Sequence, residues 1–343
     1  LFFIVFVTVM GLTFGLTPLV GEHFAKGNKS YVKELLRSGF VLFTIIGGLT
    51  TILLIAIRPL FRIMGGMMIS SGSDTSINEV IDMALPYYDI IIWTIFPIMI
   101  WGTAKQFLEG IGNTKVAMVT IIISNVINIF LNWVFIFGHF GFEAMGAVGA
   151  GLATLIARVA QCVVMLAYFF YSPKFREYTK GLFRLVKPHF KAMIETLKVG
   201  IPISFQMLME ASAFALAGVL VLAFGAHSVS AYQIGTNMMN VTFMIVIAIG
   251  SATTILCSHI YGRRNFENLR KTIYASYQMG LMWNITVALL FVLLRNHIPA
   301  LFTSNQETIE LTATMLIFIA LFPPLLYFFK SSKRRRLRRR TLF

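Results

Sequence analysis

The chain has 343 residues, of which 57% are hydrophobic and 13% charged, and its mean hydropathy is +0.78. A water-soluble domain needs far more polar surface than this, so a soluble globular fold is excluded. The net charge of +15 would suggest a nucleic-acid partner if the basic residues were clustered, but their order along the chain argues for something else.

Apolar stretches recur at 1–21, 39–57, 86–104, 116–137, 145–171, 199–226, 228–260, 276–294 and 310–329. Each approaches the ~20 residues with which a helix crosses hydrocarbon. The expected fold is an all-α integral membrane protein, a polytopic helical bundle. Lys and Arg alternate between its connections. Lys26, Lys29, Lys33 and Arg37 follow the first span, and Lys105 and Lys115 flank the turn after the third. Seven more fall in 173–198, four in 263–271 and eight from Lys330 onward. That makes 25 on one side, against Arg58, Arg62 and Arg295 on the other, with Arg158 inside a span. The positive-inside rule places the rich connections in the cytoplasm and Leu1 outside. The charge is a topology signal, and the expected partner is the lipid bilayer, with no nucleic acid. A start outside, with Leu already in an apolar helix, reads as a sequence that lacks at least one preceding span.

Along the chain, the segment 65–76 reads as a loop, and Asp89 as an interfacial acid near the outer end of its span. Pro97 and Pro202 are candidate kinks. In "SNVINIFLN", Asn125, Asn128 and Asn132 stand at i, i+3 and i+7, on one helical face. Amide oxygens suit a hard cation such as Na+, although interhelical hydrogen bonding accounts for the same spacing. In the next span Gly146, Ala150 and Thr154 make a small-residue face, and Thr154 can add a hydroxyl to the same site. Arg158 is either a buried partner or a residue snorkelling to an interface. Glu210 lies near the middle of its span, about 18 Å of helix from Lys198. A carboxylate at that depth is a functional candidate: burial disfavours its charged form, a bound cation favours it, and this competition can couple ions to transport. Gln206, Gln233, Asn237 and Asn240 are candidates to line the same cavity. Cys162 and Cys257 sit in apolar spans without metal-ligand spacing and read as packing residues. No Walker loop, zinc motif or hydrolase triad is present, so neither an enzyme nor a cofactor is expected.

Two connections resemble each other. "TPLVGEHFAKGNKSYVKELLRSG" (17–39) and "TTILCSHIYGRRNFENLRKTIYAS" (253–276) align His23 with His259 and Gly27 with Gly262. Both follow an outward-to-inward span, so the halves form a parallel repeat. The expectation is two lobes of six helices, of which this chain carries helices two to ten. The amino-terminal lobe covers 1–172, a cytoplasmic linker 173–192, the carboxy-terminal lobe 193–329 and a basic tail 330–343. That tail reads either as a cytoplasmic anchor or, given its Pro-Pro and arginine-rich text, as an out-of-frame end.

The segments "FLEGIGNTKVAM", "NVINIFLNWVFIFGHFGFEAMGAVGAGLAT", "GIPISFQMLMEASAF" and "AYQIGTNMMN" resemble the multidrug and toxic compound extrusion (MATE) family, near its NorM-type bacterial branch. The resemblance implies a V-shaped cavity between two lobes in the inner membrane and a monomer that exports small cationic amphipathic drugs in exchange for Na+ or H+. It implies cation-site roles for Asn128, Asn132 and Thr154, with Glu210 as the carboxy-lobe acid. The family's first-helix aspartate would precede residue 1, and the helix-ten acid of the NorM-type branch is replaced by "LFPPLLYFF". Two alternatives stand beside antiport: a flippase for lipid-linked oligosaccharide or peptidoglycan precursors, and a non-functional fragment of a disrupted transporter gene.

Overall fold

The computed structural model describes residues 2–70, 76–179 and 189–320. The basic tail, the end of the ninth expected span and residues 180–188 of the inter-lobe linker lie outside these residues. The described chain is helical, with helices α1 (Phe2–Thr13), α2 (Leu16–Ala25), α3 (Lys29–Ser70), α4 (Ser76–Ile91), α5 (Ile95–Gly110), α6 (Lys115–Phe137) and α7 (Gly146–Tyr171). There follow α8 (Arg176–Thr179), α9 (Phe190–Leu222), α10 (Ala226–Gly262), α11 (Phe266–Leu293), α12 (His297–Ala300) and a last helical stretch at 306–320. Among the described residues eight helical segments are long and apolar enough to cross a membrane. They match the first eight expected spans, and the chain is an all-helical, multi-pass membrane protein. The second span differs in length: α3 continues to Ser70, so the first part of the expected 65–76 loop is helix. Its "FRIMGGMMIS" text carries enough Ile and Met to sustain a helix through two glycines.

Two spans are broken, and proline explains both. The first is interrupted at Phe14 and Gly15, between α1 and α2. The third is interrupted by a 3-10 turn at Ile92–Thr94, between α4 and α5. Pro18 stands four residues after Phe14, and Pro97 four after Trp93. A prolyl ring clashes with the carbonyl four residues earlier, where each break falls. Pro97 thus sits where a break was expected, whereas Pro202 lies inside an uninterrupted α9.

The repeat recurs in backbone hydrogen bonds. At the end of α2, Gly27 N–H donates to the Phe24 carbonyl (3.0 Å) and Asn28 N–H to that of His23 (3.1 Å). At the end of α10, Arg264 N–H donates to the Tyr261 carbonyl (2.9 Å) and Asn265 N–H to that of Ile260 (3.2 Å). Both are Schellman ends with a left-handed residue, Gly27 (φ 76°) and Arg264 (φ 55°). Each is followed by an Asn whose Oδ1 accepts from a backbone N–H three residues on, that of Tyr31 or of Asn268. The turn geometry therefore pairs Gly27 with Arg264 rather than with Gly262, and His23 with Ile260. Sequence alignment favoured matching glycine to glycine, whereas the turn requires only that one residue be left-handed.

Packing divides the chain into two compact units, Leu1–Met209 and Glu210 onward. The first is built on Leu16, Leu35, Leu36, Ile95, Phe107, Met165 and Phe169, all essentially inaccessible. Within it, α1 and α2 meet the first half of α9 through small residues. A Cβ on Gly11 would lie 2.8 Å from Ser204 Cα, and one on Gly200 would lie 2.5 Å from the Leu12 carbonyl oxygen. The Ser204 hydroxyl donates to the Thr8 carbonyl at that crossing (2.5 Å). In the second unit Val287, Phe291, Leu316 and Ala320 form the core, and Gly235 admits the Met315 side chain.

Candidate functional site

Helices α6 and α7 form a hairpin whose close approach sets the geometry of the amide cluster. A Cβ on Gly149 would lie 2.7 Å from the Phe135 carbonyl oxygen, and Ala153 and Ala157 continue that face fully buried. The Ser124 hydroxyl donates to the Ala157 carbonyl across the same seam (3.0 Å). The small-residue face is therefore Gly149, Ala153 and Ala157. The expected Gly146, Ala150 and Thr154 stripe lies one residue aside, and Gly146 is exposed at the start of α7 with φ 52°. Glycine there serves the turn rather than the packing.

That rotation turns Thr154 toward α6. Asn132 Nδ2 donates to Asn128 Oδ1 (3.1 Å), Asn128 Nδ2 to Thr154 Oγ1 (3.4 Å), and the Thr154 hydroxyl to the Ala150 carbonyl (2.8 Å). The relay has one open end. Asn132 Oδ1 is buried and has no hydrogen-bond partner among the described residues. A buried acceptor without a donor is costly, and it is a natural ligand for a hard cation or a proton donor. Asn125 is apart from this relay. It is exposed on the side of α6 that carries Ile122, Val126 and Ile129.

The other candidates are distributed differently. Glu210 opens the second unit, half-buried, and makes no hydrogen bond or ion pair among the described residues. Gln233, Asn237 and Asn240 on α10 are exposed, as is Gln206 on α9, and no side-chain hydrogen bond joins any of them to Glu210. Asp89 accepts an ion pair from Arg58 (Nη2 to Oδ2, 2.7 Å), which neutralises it at the end of its span. Arg158 donates to Gln161 Oε1 on its own helix (3.0 Å).

Several polar contacts were not visible in the sequence. The Thr17 hydroxyl lies 2.6 Å from Gln106 Oε1, linking α2 to α5 in the core, and Trp101 Nε1 donates to Thr120 Oγ1 (3.1 Å). Between α3 and α9 the Tyr31 hydroxyl donates to Glu195 (2.5 Å) while its ring lies against His23. The one available signal was the spacing of Gly11 with Gly15 and of Gly200 with Ser204, a small-x-x-x-small pattern on each partner of the α1/α2–α9 crossing.

A family model, MatE, matches the chain twice, over residues 1–134 and 202–334. The chain belongs to the MatE family. Two matches to one model are also what two homologous halves produce. Among this member's curated relatives, a multidrug resistance protein NorM from Vibrio vulnificus is 29% identical over 316 residues, covering 91% of this chain. A probable NorM from Bacillus subtilis is 26% identical over 319 residues, covering 93% of this chain. The chain spans 66% of the Vibrio protein's length and 68% of the Bacillus protein's. Among solved structures, an outward-facing multidrug resistance MATE family transporter superposes with a TM-score of 0.81 at 22% identity, over 95% of this chain and 70% of that one. A transporter of the MOP superfamily from Pyrococcus furiosus, described as having a binding pocket of reversed polarity, gives 0.79 at 23% identity, over 94% of this chain and 70% of that one. These likenesses establish the MatE fold.

Proposed function

We propose that this MatE chain works as a secondary antiporter of the bacterial inner membrane, exporting small cationic amphipathic drugs in exchange for Na+ or H+. The observation that carries the reading is the relay from Asn132 through Asn128 to Thr154, which ends in a buried, unpartnered amide oxygen within a membrane span. A coupling ion arriving there gains an oxygen ligand already stripped of water. The relatives named as multidrug resistance proteins support drugs as cargo. The stretches 1–172 and 193–329 are read as its two lobes, and the transporter as a monomer.

Glu210, in the second unit, is read as a further coupling group, one that carries charge. Inside hydrocarbon a carboxylate exchanges a proton or a Na+ for a cationic drug more favourably than it stands alone, and that exchange is the coupling. Expression in a drug-sensitive bacterial host, with ethidium efflux followed in the presence and absence of a Na+ gradient, tests the reading. Efflux is expected from the wild-type chain and is expected to vanish in Glu210→Gln at unchanged membrane insertion. No efflux from the wild-type chain, or undiminished efflux in Glu210→Gln, overturns it.

A further inference from the structure

Arg158 stands in the middle of α7, with about 18 Å of helix to Gly146 and about 20 Å to Tyr171 at roughly 1.5 Å per residue. Its three-methylene stem does not reach either end, which removes snorkelling as an account of the residue. Among the described residues no carboxylate lies within ion-pair distance of it. A guanidinium at this depth normally pairs or faces water. Its one side-chain partner among the described residues is Gln161, a turn farther along, whose Oε1 accepts from Arg158 Nη1 at 3.0 Å. Gln161 is 1% exposed, and with its oxygen engaged by Arg158 its Nε2 is left buried without an acceptor. Two neighbouring groups therefore present donors without acceptors, one of them positively charged, on a helix otherwise lined here by Ala157, Val159, Ala160 and Cys162.

The geometry points to an intramembrane oxyanion site at Arg158 and Gln161. The guanidinium provides a planar fork of N–H donors matched to a carboxylate or phosphate, and the Gln161 amide provides a further donor held in place by its bond to Arg158. The ligand is a small oxyanion: the carboxylate of a hydrophobic solute or the phosphate of an anionic lipid. The site is separate from the acceptor oxygen of Asn132, whose unmet need is for a donor or a cation. It does not depend on the antiport reading, because binding can be measured without transport.

The test is thermal unfolding of the purified chain in neutral detergent. Sodium benzoate is titrated against sodium chloride at matched ionic strength, and phosphatidylglycerol against phosphatidylcholine in a parallel series. A saturable rise in Tm is expected in at least one series; benzoate alone identifies a solute carboxylate as ligand, and phosphatidylglycerol alone a lipid phosphate. Arg158→Gln is expected to weaken the apparent affinity by on the order of tenfold or more, since a charge-assisted fork is lost. Should that variant not fold, Arg158→Lys, which keeps the charge but not the fork, and Gln161→Leu, which removes the orphaned donor, are each expected to weaken it as well. No saturable response in the wild type, or variants that titrate like the wild type, overturns the site.

Discussion

The Asn132 side-chain amide can accept two hydrogen bonds at its oxygen and donate two from its nitrogen, and the oxygen has no partner among the described residues. Its nitrogen is spent on Asn128, so the side chain cannot flip to satisfy its oxygen without breaking the relay. Asn132→Leu removes both the open acceptor and the link to Asn128 while preserving bulk. The expected result is a Na+-dependent rise in Tm weakened about tenfold, in line with the loss of one buried polar ligand, and Asn132→Asp is expected to restore it by adding charge. Equal Na+ responses in Asn132→Leu and wild type remove Asn132 from the site. At this scale the sequence was partly legible. The i, i+4 spacing of Asn128 and Asn132 announced a shared face, but Asn125 fits the same facial spacing and yet is exposed and makes no bond of the relay, a distinction that spacing does not carry. No reading of α6 alone places the Thr154 hydroxyl against Asn128, since that contact depends on how α7 is rotated.

At the level of helices, glycine decides where elements approach. Gly200 meets the Leu12 backbone, whereas a Cβ on Gly48 of α3 meets nothing within 4 Å. The two are both helical glycines and look alike in sequence, yet substitution has opposite signs. Gly200→Val must push α9 off α1 and is expected to lower stability by about 1–3 kcal/mol, the usual range for overpacking. Gly48→Ala fills open space and is expected to raise it by about 0.5–1 kcal/mol through helix propensity. Unfolding midpoints of the purified chain in detergent check both, and a Gly200→Val protein as stable as wild type refutes the tight crossing. Of the candidate kinks Pro97 stands at a break, whereas Pro202 leaves α9 uninterrupted and the break before Pro18 was not anticipated; the turns at Gly27 and Arg264 were legible as turns. Their register was not: identity between two glycines outweighed, in sequence, the hydrogen bonds that fix Arg264 at the left-handed position.

For the molecule as a whole, topology is the testable consequence of charge order. Thr114 and Glu143 are both exposed, one before α6 and one after it. In whole cells a membrane-impermeant maleimide is expected to label Glu143→Cys at once and Thr114→Cys only after permeabilisation. The two native cysteines give a low background, since both lie in spans and Cys162 is buried. The reverse labelling pattern inverts the assigned orientation. The exposed apolar residues along α9, α10 and α11, among them Leu216, Leu220, Val241, Met244 and Met282, fit this picture of helices whose outer faces belong in lipid.

The sequence by itself determined that this is an all-helical membrane protein, where eight of its spans lie, which connections carry the positive charge, and that two of its turns repeat. Hydropathy and charge add residue by residue along a chain, so they can be summed without coordinates. Only the tertiary structure decided that Gly149, Ala153 and Ala157 form the close-packed seam with α6 while Thr154 meets Asn128 beside it, that Asp89 is neutralised by Arg58, and that Asn132 and Gln161 are left with unmet polar atoms. Each of those outcomes depends on the rotation of one helix against another. A shift of one residue turns a side chain by about 100°, and no sum over composition contains that angle.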